Sequence, residues 1–583
     1  MNKRRLIVLL VAILGLFLII FFKLIYLQVI KHQFFSNKSS AQISKKIKIQ
    51  SHRGLIYDRH NSPLSMNVSR YSIYAVPPKV SKPKNTARAL SQLLDIDVKH
   101  VSSQLKSNYP FIWVKRKLSL KEKEAVMALN LEGVYFLPEE KRVYPNGVLL
   151  SDVLGFMGTD GGLSGLEYYF NKHLSGSSGM IHMEGDPYGV RLLSGAKQVK
   201  GVPKGFKQAH RFFEPNSFDG SHLYLTIDQT LQHMTEYYLE KSILENEAKS
   251  GQVVVMAVPS GEILALADYP FYNPNRFYEY SDTRRKNSVV VDVFEPGSVL
   301  KVATYAAVLE EGIVTPGTVM MIPETLEIGP DVISEAHERE EGDTGERIAE
   351  DILVESLNVG TALFAQELGD IKLYKYLKAF GFGVRSDISL PGESAGLLRK
   401  PNDWAASDIA TISFGQGVGV TSLQLAVMMG VICNDGVLVR PQIIRYLSDF
   451  EGVTLKKKKR KKPYRVISET SALKVREALV NVVEKGTATR VRIPGYKLGG
   501  KTGTAQVAGP GGVGYLEDEY VASFVGFLTQ ENPSHVIVVN IHSPKKRYYG
   551  SSVAGPVFKN IASFILKKEM TLPSSYYGVT DLK

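Results

Sequence analysis

Hydrophobic positions open the chain as a block. Leu6 to Phe22, LIVLLVAILGLFLIIFF, is an apolar run without a charge, and KLIYLQVI extends it. At about 1.5 Å per residue the run covers most of a bilayer core of roughly 30 Å, which predicts a membrane-spanning helix. Lys23 can reach the interface along its own aliphatic stem. The basic MNKRR ahead of the run puts the N-terminus in the cytoplasm and the rest of the chain outside. A cleaved leader has a shorter apolar core, ~7–15 residues, with a small-x-small site close behind. The nearest such site here is Ser39-Ser40-Ala41, so an uncleaved anchor is expected.

After the anchor the pattern changes twice. From 31 to 215 the chain alternates short β-like runs with turns. RGLIYDRHNSPLSMN (53–67) reads as two strands around a turn at His60-Asn61-Ser62. Residues 144–176 are punctuated by glycine and end in an amphipathic stretch. Near 216, SHLYLTI reads as a strand, and Asp228 is a good cap for the helical pattern that follows. GQVVVMAV and ILALADY around PSGE form a hairpin. KLGGKTGTAQV, YVASFVGFLTQ and SHVIVVNIHS supply three more strands, and PVFKNIASFILKK a closing amphipathic helix. Helices between and after hairpin-connected strands predict an α+β domain with an antiparallel sheet of about five strands. The stretch from 298 to about 490 is expected to be mostly helical. The organisation is therefore a cytoplasmic tip and anchor at 1–30, a mixed, β-rich module at 31–215, an α+β domain at 216–570 and a tail at 571–583.

Composition adds limits rather than a function. With 583 residues, 44% apolar and 22% charged, the chain can bury a large core. Its net charge of +13 could suggest nucleic acid, but much of the excess sits in Lys456 to Lys462, KKKKRKK, and in the NKRR of the N-terminus. The first block reads as a solvated loop, or as a contact with anionic lipid or wall polymer. Cys433 is the single cysteine, so neither an intrachain disulfide nor a cysteine-rich metal site can form. None of the 12 histidines lies in an H-E-x-x-H pattern, and the acidic EAHEREEGDTGE (335–346) reads as a solvated loop. No metal and no cofactor is expected.

Gly495 to Thr502 formally matches the phosphate-cradling G-x-x-x-x-G-K-T loop. That loop needs a helix directly after the Lys-Thr, so that its N–H groups and dipole meet the phosphates. Here GTAQVAGPGGVG follows, a strand-then-turn pattern, and nucleotide is scarce outside the membrane. The match is read as accidental.

FEPGSVLKVATYAAVLEEG (294–312) carries the chemistry. Pro-Gly precedes Ser298, and the residues up to Leu309 are apolar on nearly every face, a buried helix ended by Gly312. Ser298 stands at the helix N-terminus, where the dipole favours developing negative charge. Lys301 follows one turn later on the same face. Burial disfavours the charged amine and lowers its pKa, and a neutral amine beside a serine hydroxyl is a general base. S-x-x-K occurs six times, at Ser81, Ser103, Ser194, Ser298, Ser471 and Ser543, but only Ser298 combines a Pro-Gly elbow with an apolar helix. By itself it could still be a helix cap. Two later elements add weight: Ser356-Leu357-Asn358, between two helical stretches, and Lys501-Thr502-Gly503-Thr504 on a strand, whose small residues would let a substrate backbone approach. Ser-x-x-Lys, Ser-x-Asn and Lys-Thr-Gly in that order, across some 200 residues, are a strong combined signal.

On these motifs the chain resembles the class B penicillin-binding proteins, membrane-anchored D,D-transpeptidases that cross-link peptidoglycan. RGLIYDR, GLEYYFNKHLSGSSG, GEILALADYPFYNPN and SFGQGVGVTSLQLA (413–426) extend the resemblance over nearly the whole chain. FEPGS and the Asn of S-x-N are closer to the division branch, though sporulation relatives share them. The resemblance implies the penicillin-recognising serine transferase fold on a non-catalytic pedestal. It also implies roles. Ser298 would be the acylated nucleophile and Lys301 its base. Ser356 would relay a proton to the leaving amine. Asn358 would orient Lys301 and the substrate amide, and Lys501 would supply positive charge near Ser356 and the substrate carboxylate. Thr502, Gly503 and Thr504 would line the substrate strand, with the N–H groups of Ser298 and Thr504 as the oxyanion hole. Implied partners are peptidoglycan stem peptides, β-lactams, the cytoplasmic membrane, a SEDS-type glycan polymerase and other division proteins. A D,D-carboxypeptidase or β-lactamase, a penicillin sensor and a catalytically dead scaffold stay open as alternatives. The single span argues against the sensor, and the presence of Lys301 and Lys501 against the scaffold.

Overall fold

In the computed structural model, residues 3–35, 44–49, 51–176, 179–184, 219–336, 345–457, 461–509, 514–528 and 532–569 are described. The expected tail at 571–583, residues 458–460 of the basic block and 337–344 of the acidic segment lie outside them. The chain divides into two compact units, residues 1–54 with 175–220, and residues 55–174 with 221–583.

In the first unit, Lys3–Ile25 is an α-helix that runs on into a wider turn at Tyr26–Ile30. Its apolar segment, Leu6–Ile30, is long enough to cross a membrane and none of it is buried in the protein. Strand Ser44–Ile49 pairs antiparallel with Gly179–Glu184.

Among the described residues the second unit holds two large sheets and three two-stranded ladders. The strands expected after residue 216 form a five-stranded antiparallel sheet in the order Leu498–Ala508, Tyr515–Leu528, His535–His542, Ser250–Ala257, Ile263–Tyr269. Its middle strands carry apolar residues on both faces because both faces are covered, with Gln252, Ser523 and Asn540 the buried polar exceptions, and successive side chains alternate between the two faces. Val253, Val255, Ile537 and Val539 pack with helices Gln229–Asn246 and Gly550–Lys568. Val254, Met256, Val536 and Val538 pack with Lys301–Glu310 and Ser422–Cys433 on the other side. Each such fully buried valine contributes about 1.5–3 kcal/mol. The second sheet has seven strands and mixed direction. Ile56–Tyr57 lies parallel to His222–Leu225 and antiparallel to the long strand Pro63–Ala75, which carries Ile112–Leu118 and Val134–Val143 on its flanks. The turn expected at 60–62 is present, with Asn61 in the left-handed region.

Two local expectations differ from the structure. Between 298 and 490 the helices are interrupted by short strands: Val319–Met321 pairs with Glu346–Ile348, Thr325–Ile328 with Asp331–Ser334 and Val437–Leu438 with Tyr464–Arg465, and Ile444–Ser448 and Thr454–Lys457 join the seven-stranded sheet. At two to five residues each they are too short to show a clear period-2 pattern. The last helix begins at Gly550, not at Pro556. Proline normally marks a first turn, but here the first turn is anchored earlier, where the Gly550 N–H donates to Thr504 Oγ1 at 3.1 Å.

Candidate active site

Three chain segments far apart in sequence meet at the edge of the five-stranded sheet. The first is the elbow before the buried helix. Gly297–Val299 is one 3₁₀ turn and the α-helix starts at Lys301. Gly297 has φ +53°, and its N–H donates to the Gly415 carbonyl at 3.1 Å. Phe294 and Val420 exchange two backbone hydrogen bonds, and Glu295 Oε1 accepts from the Gly417 N–H at 2.8 Å. The glycine-rich element at 413–426 is thus a buttress for the elbow. Gly415 cannot carry a side chain there: it has φ +92°, and a Cβ would lie 2.1 Å from the Gly297 carbonyl oxygen. Gly415→Ala is expected to destabilise the fold by about 2–4 kcal/mol and to slow acylation of Ser298. A thermal melt and the rate of penicillin labelling check this, and wild-type values in both would refute the buttress.

The second segment is the outer strand, Leu498–Ala508. It is a strand throughout Lys501–Ala508, so no helix follows the Lys-Thr and no nucleotide loop is built. Gly503 lies against the elbow, where a Cβ would come within 2.9 Å of both the Pro296 carbonyl oxygen and Val299 Cγ2. The room it leaves is taken by the elbow, whereas the sequence suggested room for a substrate backbone. Thr502 Oγ1 lies 3.1 Å from Thr487 Oγ1, and Thr504 Oγ1 accepts from Gly550.

The third segment is the turn between helices Ala349–Val354 and Asn358–Leu368. Ser356 has φ +67°, a left-handed conformation unusual for serine. It is held by two lysine amines. Lys301 Nζ donates to the Ser356 carbonyl at 2.6 Å and to Asn358 Oδ1 at 2.7 Å, and lies 3.4 Å from Ser356 Oγ. Lys501 Nζ donates to Ser356 Oγ at 2.8 Å. Both lysines are buried. Burial pulls the Lys301 amine down to about 7, partly offset by the Glu335 carboxylate. Burial, and then the charge of Lys301, push Lys501 well below the usual lysine range. Two adjacent ammonium groups in such a place repel each other, so the second proton is held weakly.

The structure therefore brings Lys301, Ser356, Asn358 and Lys501 into one hydrogen-bonded cluster and sets Gly503 against the elbow of Ser298. It does not form the expected bond between the Ser298 hydroxyl and Lys301: the amine's hydrogen bonds go to the Ser-x-Asn turn. In the neutral amine the two short bonds take both N–H groups, the 3.4 Å contact to Ser356 Oγ being the weakest of the three, and the lone pair is the acceptor that a serine proton would need. Nor is the acidic segment only a solvated loop. Glu335 is half-buried, and its carboxylate accepts the N–H of Asn358 at 2.5 Å and of Val359 at 2.9 Å. Its distance of 23 residues along the chain and its place in an acidic run gave no sequence signal for this contact. The Tyr515 hydroxyl donating to Glu295 at 3.1 Å was equally hidden.

The penicillin binding protein transpeptidase domain model matches residues 251–563, and the penicillin-binding protein dimerisation domain model matches residues 48–203. The chain is 33% identical over 543 residues to the probable peptidoglycan D,D-transpeptidase PenA of Neisseria meningitidis serogroup B, covering 92% of this chain and 88% of that protein. It is also 33% identical over 573 residues to stage V sporulation protein D of Bacillus subtilis, covering 96% and 85%. Among solved structures, penicillin binding protein 3 of Mycobacterium tuberculosis complexed with aztreonam matches with a TM-score of 0.69 and 27% identity, covering 90% of this chain and 98% of that one.

Proposed function

Since the chain belongs to the class B penicillin-binding proteins, serine D-Ala-D-Ala transpeptidases of cell-wall synthesis and division, we propose that Ser298 is its acylated nucleophile and that the two-lysine cluster around Ser356 moves the protons. The observation that carries this is the pair of N–H bonds from Lys301 to Ser356 O and Asn358 Oδ1, which leaves the amine a lone pair for the serine proton.

In the first half-reaction the Ser298 proton passes to Lys301 Nζ, and Oγ attacks the carbonyl carbon between the two D-alanines. The N–H groups of Ser298 and Thr504 receive the developing oxyanion, a contribution of about 3–4 kcal/mol per donor. The C–N bond then breaks. Ser356, whose oxygen already accepts from Lys501, gives its own proton to the departing D-Ala amine and is resupplied by the lysines. In the second half-reaction an amine of a neighbouring stem peptide attacks the ester, a new amide forms, and Ser298 leaves with its proton restored. Asn358 orients Lys301 and the substrate amide. Thr502 and Thr504, on either side of Gly503, hold the terminal carboxylate. An arriving carboxylate supplies the anion that favours a charged Lys501, so its positive charge is expected in the complex more than in the free protein. No cofactor enters any step.

The protein binds peptidoglycan substrate and β-lactams, and one apolar N-terminal helix is a candidate membrane anchor. We propose further that the N-terminus is cytoplasmic, that the catalytic residues lie outside the bacterial cytoplasmic membrane, and that a SEDS-type glycan polymerase and other division proteins are partners. Division of the chain into anchor (1–30), pedestal (31–215), transpeptidase domain (216–570) and tail (571–583) is part of the same reading.

A peptide ending in D-Ala-D-Ala, supplied with an acceptor amine, tests the reaction. The expected products are free D-Ala and a cross-linked peptide in similar amounts. Release of D-Ala without cross-linked product at saturating acceptor would make the protein a carboxypeptidase instead.

A further inference from the structure

Asn358 is held at both ends of its side chain. Its Oδ1 accepts from Lys301 Nζ at 2.7 Å, and its Nδ2 donates to the Ser334 carbonyl at 3.1 Å. The second bond fixes which way the amide points, because a carbonyl accepts only from the nitrogen. The next residue along, Glu335, takes the backbone N–H groups of Asn358 and Val359, the first two of helix Asn358–Leu368. These groups have no partner within the helix itself, and a carboxylate is the acceptor that the helix dipole favours there. One end of a two-stranded hairpin, Asp331–Ser334 and the residue after it, therefore sets the position of Asn358 and the direction of its amide.

We propose that Glu335 is a positioning residue for acylation: by clamping the N-terminus of the Asn358 helix it aims the Asn358 oxygen at Lys301 and keeps the amine's lone pair free for Ser298. Glu335 touches neither substrate nor nucleophile and acts through Asn358 and Lys301. The inference rests on Lys301 being the base.

A clamp of this kind has an electrostatic signature. The charged groups facing Lys301 are Lys501 on the outer strand, which opposes the ammonium, and Glu335 on the hairpin, which favours it. Glu350 and Asp351, from the preceding helix, act on the Tyr305 hydroxyl, one turn along the base helix from Lys301. Removing the Glu335 charge takes away the group that holds the proton on Lys301. The acid limb of the acylation profile then moves to lower pH, although the clamp is weaker.

The full chain in detergent is mixed with fluorescent penicillin, and the second-order acylation rate is measured at pH 6 and pH 8 for wild type, Glu335→Gln, Glu335→Ala and Glu335→Asp. Glu335→Gln is expected to lower the rate at pH 8 about tenfold, the scale of a lost charged hydrogen bond. It is also expected to raise the ratio of the pH 6 rate to the pH 8 rate about threefold. Glu335→Ala reads the same ratio should the glutamine variant fail to melt cooperatively. Glu335→Asp keeps the charge, so it is expected to keep the wild-type ratio and recover most of the rate. A ratio unmoved in both neutral variants overturns the proposal, whatever happens to the absolute rate, because a purely structural cap would lower the rate and leave the ratio alone. Ser298→Ala in the same series separates the two levels. Labelling of that variant sinks the nucleophile assignment, whereas an unmoved ratio with Ser298→Ala unlabelled sinks only the role of Glu335.

Discussion

Ser298→Ala is expected to leave no covalent adduct with penicillin and no D-Ala release, a fall of at least about a thousandfold. The magnitude follows from the absence of a substitute hydroxyl in position. The Ser356 oxygen is engaged by both lysines, accepting from Lys501 at 2.8 Å with Lys301 at 3.4 Å. Thr502 and Thr504 have their hydroxyls against Thr487 and the Gly550 N–H. None is on the elbow, where the chain turns on Gly297 and is buttressed by Gly415. The substitution removes one oxygen from a half-exposed side chain, so the melting temperature is expected to stay within a few degrees of wild type. Gel fluorescence after labelling, with a thermal melt on the same sample, is the measurement. Equal labelling of both proteins would mean that another residue is acylated.

Lys301→Met is expected to lower the acylation rate by about a hundred- to ten-thousandfold, the usual range for removal of a general base. Lys301→Arg is expected to fail as badly, because arginine keeps the charge but cannot give up its proton near neutral pH. If the arginine variant acylated at a near-normal rate, the role of Lys301 would be its charge and not its basicity. The wild-type pH dependence is expected to report the same group. Burial holds the Lys301 amine at about 7, below an ordinary lysine. With Lys301 as the proposed base, acting in its neutral form, the rate is expected to rise with pH through about 7 and level off above it. At the pKa of an unburied lysine, near 10.4, the same curve would rise more than three pH units higher. Stopped-flow acylation between pH 5.5 and 9 distinguishes the two.

Several features of the fold can be seen in the sequence because their signal is local. The anchor is an uncharged run, and the central strands are rich in valine and isoleucine on both faces because both faces of the sheet are covered. Asp228 caps its helix through the Leu231 N–H, as its residue type predicts. The hairpin ladders at 319–348 were not legible, since strands of three and four residues carry too little pattern. The start of the last helix was misplaced by Pro556, because the contact that begins the helix is to Thr504, 46 residues earlier.

The three motifs and their order are legible from residue types alone, and they carry the resemblance to the family that the domain matches and the relatives show. Reactivity of this kind needs particular side chains, and a serine, lysines, an asparagine and glycines in turns can be read wherever they fold. Their mutual geometry was decided only by the tertiary structure. Lys301 and Lys501 share Ser356 because the base helix, the Ser-x-Asn turn and the outer strand pack together. Lys301 is held by the oxygens of the Ser-x-Asn turn, and Glu335 reaches that turn from the end of a hairpin. Hydrogen bonds act over about 3 Å, and chain separations of 55 to 145 residues become such distances only when the whole domain has closed around them.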